Sequence, residues 1–272
     1  MSGPVLLLAH SLKRMRTLVL SIGALLGAFQ LVLVLVAGSI QRSGGFEQLS
    51  ALLPPFAREM MGPSMTSFMS FGGIVCLGYF HLVVMGSLVG LSIAVATVPA
   101  SEVETGFIDL VLSRPLARHW IITRSMAAVM LSIATVLGWM MLGTWVGLST
   151  LAPPGAEWPS AKLVGSLALN LGLLMLCWGG VALAIGSAAR RRSVAGGCTA
   201  VLALAGFLLD YVGRLWSPAE RVAWLSPFRY YSSFGMIVGG SLQAKNVEVL
   251  CGVAVAGFFA AHWLFARRDL AR

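Results

Sequence analysis

Long uncharged stretches separated by short polar connections run through the whole chain. Six of them are long enough to cross a membrane: 17–40, 66–98, 120–151, 163–189, 194–212 and 247–265. About 20 residues at 1.5 Å rise span the hydrocarbon core of a bilayer. Backbone groups in lipid must pair internally, which predicts helices, and the alternating pattern of a membrane barrel is absent. The first stretch has too long an apolar core for a cleaved signal peptide, and others follow it. The second and third exceed what a bilayer needs, so they are expected to tilt or to carry a turn or two into water. The expectation is one all-α membrane domain over residues 1–272 with six transmembrane helices.

Composition agrees with this pattern. The chain is 58% hydrophobic and only 11% charged, against about 25% charged in an average soluble domain. Orientation follows from the basic residues. With the N-terminus inside, the cytoplasmic segments hold Lys13, Arg14, Arg16, Arg114, Arg118, Arg124, Arg190, Arg191, Arg192, Arg267, Arg268 and Arg272. The opposite side holds seven basic residues spread over longer loops, so the positive-inside rule places both termini in the cytoplasm. The net charge of +9 reflects this topology and attraction to anionic headgroups. No basic stripe with interleaved aromatics points to nucleic acid. Arg in preference to Lys, with abundant Ala and Gly, fits a GC-rich bacterial genome and hence a bacterial cytoplasmic (inner) membrane.

Other features are read more coarsely. Residues before Thr17 fit either a short helix on the inner interface or a basic flank of the first span. Ala152-Pro-Pro-Gly-Ala-Glu-Trp-Pro159 is a turn. Residues 213–246 carry Trp216, Trp224, Phe228, Tyr230, Tyr231 and Phe234, interrupted by Pro218 and Pro227. Such density predicts short helices dipping back into the outer leaflet, or an aromatic belt capping the bundle. Cys76, Cys177, Cys198 and Cys251 lie in apolar stretches and act as small hydrophobes, with no metal-ligand spacing. His81 and Asn170 are the deep polar side chains, read first as polar contacts between helices and second as part of a substrate path. Asp210 and Glu248 each have a helically spaced basic partner, Arg214 and Lys245. Gly72-Gly73, Gly86, Gly90, Gly143 and Gly147 are expected to permit close helix packing.

One short connection departs from this background. Three of the ten acids, Glu102, Glu104 and Asp109, fall within eight residues. Pro99 should end or kink the incoming helix. Val103, Phe107, Leu110 and Val111 then recur at helical spacing, with Glu102 and Asp109 off that face. Carboxylates at the front and Arg114 and Arg118 behind suit a helix dipole. These residues predict a short amphipathic helix lying along the membrane, apolar above and charged below. A solvated interfacial loop is the commoner explanation of such a segment.

The wording of the loop, Glu102-Val-Glu104-Thr-Gly106 followed by Leu112-Ser113-Arg-Pro115-Leu-Ala-Arg118, resembles the coupling region of ABC-2-type permeases. These are the membrane subunits of one class of ATP-driven exporter. Phe107 stands where that family usually has Thr, and Asp109 where Glu is common. Leu225-Ser-Pro227-Phe and the ending Phe265-Ala-Arg267-Arg268-Asp269 are weaker matches. The resemblance implies a pair of permeases, identical or different, seated on two copies of a separate cytosolic ATPase. Docking would use Glu102, Glu104, Gly106, Asp109, Ser113, Pro115 and Arg118, together with Arg190, Arg191 and Arg192 between the fourth and fifth spans; Glu102 and Glu104 would contact the ATPase or basic residues of the permease itself, and Gly106 would permit the close turn where the loop helix starts. ATP-driven closure would then switch the bundle between inward and outward openings. The expected function is export of a compound, hydrophobic or amphipathic in the widest reading, from the cytoplasm or inner leaflet.

The chain has no Walker-type phosphate loop, so ATP and Mg belong to the partner; this chain is expected to be no enzyme and to hold no cofactor or metal of its own. An intramembrane hydrolase would need a nucleophile with its base, or a metal set, and neither motif is present. A secondary transporter or channel is the stronger rival, though a proton carrier would need ionisable groups deep in the spans, where only His81 lies. A membrane subunit transmitting ATPase motion to a periplasmic partner is also compatible with these residues.

Overall fold

A computed structural model describes residues 3–46, 69–108, 117, 119–238 and 241–267, without the side chains of 3–7 and 234. Among these residues the chain is helical with no strand, and six helices are long and apolar enough to cross a membrane. Helix α1 covers Gly3–Arg42. The second span is built from α2 (Phe71–Cys76), a 3-10 turn (Leu77–Tyr79) and α3 (Leu82–Ala96). A short α4 (Val98–Glu104) follows it. The remaining spans are α5 (His119–Leu151), α6 (Ala161–Ala188), α7 (Arg192–Gly213) and α10 (Ala244–Ala266). Between the last two lie α8 (Ser217–Ala223), a 3-10 turn (Pro227–Tyr230) and α9 (Ser233–Ile237).

The predicted spans are present to within a few residues, with two differences. Helix α1 runs unbroken through the basic cluster, so residues 3–16 form no separate interfacial helix and instead extend the first span as its basic flank. His10, Lys13, Arg14 and Arg16 are exposed on its first half. The second span is interrupted midway, which the apolar run gave no sign of.

Helix α6 is the most buried span and touches α3, α5, α7 and α10, so the bundle is organised around it. Ser160 starts it by accepting a hydrogen bond from the Leu163 N–H at 3.2 Å. Two helix pairs approach to backbone contact through glycine. A Cβ on Gly143 of α5 would lie 2.2 Å from the Gly27 carbonyl oxygen of α1. One on Gly257 of α10 would lie 2.5 Å from the Gly180 carbonyl carbon of α6. Without a hydrophobic drive between helices in lipid, such close approach supplies the dispersion contacts that hold spans together. Gly147 also packs tightly, against Val34. The expectation fails at Gly86 and Gly90, which have nothing within 4 Å of where a Cβ would sit.

Residues 213–238 do form short helices, and they fold back on the bundle. Ser226 donates to the Gly206 carbonyl at 2.7 Å, well inside the end of α7. Phe228 is buried against Trp178 and Phe207, whereas Trp216 and Trp224 are exposed. The aromatic cluster therefore divides into an anchoring half and an outward half. Arg214 donates twice to Asp210, at 2.9 and 3.0 Å. The companion pair is not formed: among the described residues Glu248 has no ion pair with Lys245, and both are exposed.

The crossings give a direct test. Gly143→Ala and Gly257→Ala should each cost about 1–3 kcal/mol by overpacking against backbone, read as a lowered unfolding midpoint in detergent. Gly86→Ala should be neutral or stabilising, because it gains helix propensity and meets nothing.

Candidate functional site

The acidic connection sits at the end of the bundle that also holds the first turns of α7. Helix α3 stops at Thr97, whose N–H and hydroxyl both bond the Ile93 carbonyl. Pro99 then occupies the first turn of α4, where its missing N–H costs nothing. Helix α4 ends at Glu104, and Gly106 takes φ 71°. That left-handed conformation favours glycine and closes a helix C-terminus. Gly106 therefore makes a turn within the predicted amphipathic segment, and helical geometry resumes at Phe107 and Ile108. Asp109, Ser113 and Pro115, with Arg118, lie outside the described residues.

The two glutamates face opposite ways. Glu102 is 3% exposed and pairs with the guanidinium of Arg124, itself 3% exposed, on the second turn of α5. Burial pushes the Glu102 carboxyl above the usual carboxylate range, and Arg124, with Arg14 and His10 beyond it, pulls the carboxyl partly back. The expected charged underside is thus wrong at this residue: Glu102 points into the protein because Arg124, within an apolar helix, needs a counter-charge. Glu104 is exposed and accepts the backbone N–H of Arg192 at 2.9 Å. A carboxylate at that point meets the positive end of the α7 dipole. The Arg192 side chain returns across the gap to the Ala94 carbonyl at 2.9 Å, near the C-terminal end of α3. Arg192 is so clasped to two points 88 and 98 positions earlier in the sequence. Arg190 and Arg191 remain exposed beside it.

A second polar group lies midway along the spans. His81 precedes α3 in extended conformation, with ψ 132°, and its ring packs on Phe29. The Tyr79 hydroxyl pairs with Thr144 at 3.0 Å, and the Tyr231 hydroxyl donates to the Tyr79 carbonyl. Gln30 is fully buried, and neither of its amide atoms has a partner among the described residues. Asn170 is likewise fully buried and unpartnered, on α6.

No family model matches the chain, and no curated protein matches it. The geometry therefore carries the argument alone. It joins Glu104 to Arg192, sets Gly106 beside His10, Lys13 and Arg14 of α1, turns Glu102 to Arg124, and leaves His81 and Asn170 apart from that end. Sequence reasoning missed Gln30, Tyr79 and the role of Arg124. A lone arginine inside an apolar helix was the available signal for Arg124, since such a charge requires a partner.

Removing one member of the buried pair leaves a charge without a counter-ion. Glu102→Gln should destabilise by about 3–5 kcal/mol, measured as the unfolding midpoint in detergent. Combining it with Arg124→Met should recover most of the loss. Equal midpoints for wild type and Glu102→Gln would show that the pair is not buried in the membrane-embedded protein.

Proposed function

We propose that this chain is the membrane-spanning permease subunit of an ATP-driven ABC exporter, working as a pair on two copies of a separate ATPase. The observation that carries the reading is the clasp between Glu104 and Arg192. It unites the two connections that, in the resembling family, form the docking surface. The termini and this surface would face the cytoplasm, as the basic clusters of α1 and residues 190–192 favour. The folded-back helices 217–237 would then be an outer re-entrant segment in a bacterial inner membrane. ATP binding would close the ATPases and displace α4 and the start of α7 together, because the clasp ties them. Glu104, Arg190 and Arg191 are exposed to a partner, whereas Glu102 acts from within by holding α4 to α5.

Co-expressed with its ATPase, the chain should co-purify in equal amounts; alone, it should turn over no ATP. Glu104→Lys should leave membrane insertion intact and lower the complex's ATP turnover by about fivefold or more. A chain that alone sustains gradient-driven flux in vesicles would instead be a secondary transporter.

A further inference from the structure

The interruption in the second span leaves polar backbone at membrane depth. Tyr231 occupies the Tyr79 carbonyl that the Val83 N–H would use in a continuous helix. His81 provides no side-chain cap for α3, and the N–H groups of Leu82 and Val83 have no partner among the described residues. No other described part of the chain covers it: Leu82 is 56% and Val83 69% exposed. Non-helical backbone persists at this depth only where protein buries it or water reaches it. A second, independent observation lies next to it. The unpartnered amide of Gln30 is aimed at the broken stretch, so close that a Cβ on Gly78 would lie 2.4 Å from its Nε2. The Nδ1 of His81 is also buried without a partner among the described residues.

We infer that this break lines a water-filled part of the transport route and receives an anionic or hydrogen-bond-accepting group of the cargo, such as a carboxylate, phosphate or sulfonate. The donors are the Leu82 and Val83 N–H groups at the positive end of the 15-residue α3. Gln30, against Gly78, and His81, which directly precedes the two donors, supply adaptable polar contacts at the break. A donor-rich surface selects an acceptor, and a low-dielectric wall strengthens that selection. This inference rests on the transport reading but not on ATP as its energy source.

The test uses the full chain in membrane vesicles, with Cys76, Cys177, Cys198 and Cys251 replaced by alanine. Val83→Cys, and Leu82→Cys as a second position should the first fail to insert, are labelled with two membrane-impermeant methanethiosulfonates, one anionic and one cationic. Leu142→Cys, exposed midway along α5, serves as the lipid-facing control. The Val83→Cys thiol should react at least about tenfold faster than the control. Its anionic-to-cationic rate ratio should exceed that of a free thiol in solution by about tenfold. Taking the ratio removes any effect of thiol pKa, which changes both rates alike. Gln30→Leu in the same background should reduce the anionic preference. Labelling no faster than Leu142→Cys would mean that lipid or protein covers the break, and would overturn the inference. Fast labelling with no anionic preference would overturn the assigned cargo group. Neither result depends on ATPase co-purification, so the two readings fail separately.

Discussion

Every backbone N–H and C=O that enters hydrocarbon must find a partner within the protein or in enclosed water, and this one requirement organises the molecule. It makes the apolar stretches helices, and it confines charge to the helix ends. It also explains why helices that cannot be driven together by the hydrophobic effect approach instead through glycine, at Gly27 with Gly143 and Gly180 with Gly257. Among the described residues the second span departs from the requirement at 77–83. There Tyr231 satisfies a released carbonyl while the following N–H groups remain open among the described residues.

At the end of the bundle that holds the acidic connection, the same constraint acts on side chains. Arg124 enters an apolar helix and takes Glu102 in with it, which pins α4 to α5. Glu104 and Arg192 then serve two helix termini at once, one by meeting an exposed N–H and the other by meeting a carbonyl. Because those contacts span α3, α4 and α7, a force on either connection is transmitted to both. An element with two discrete arrangements at this point would be moved as a unit.

The spans were legible because hydropathy over about 20 residues reads burial in lipid directly. The clasp was only half legible. Acid clustering marked the connection and Gly106 marked a turn, but helical spacing carried across that glycine gave Glu102 the wrong face. The break before His81 left no local signal, since no proline stands there; the Tyr79 carbonyl it frees is taken by Tyr231, 152 residues farther along the chain. Glycine spacing was an equally incomplete guide. Gly86 and Gly90 share the pattern of Gly143 and Gly147, yet only the latter two face a neighbouring backbone or side chain in the chain. Which glycine meets a partner is a property of the packing.

The account stands on the claim that the acidic connection is a docking surface for an ATPase. Phe107, exposed beside Gly106, is the position to probe, by replacing it with a photo-crosslinking phenylalanine analogue in growing cells. Irradiation should join the chain to one ATP-binding subunit, identified by mass spectrometry, with a yield that changes when cellular ATP is depleted. Adducts to lipid alone, with no ATP-binding protein among the products, would contradict it.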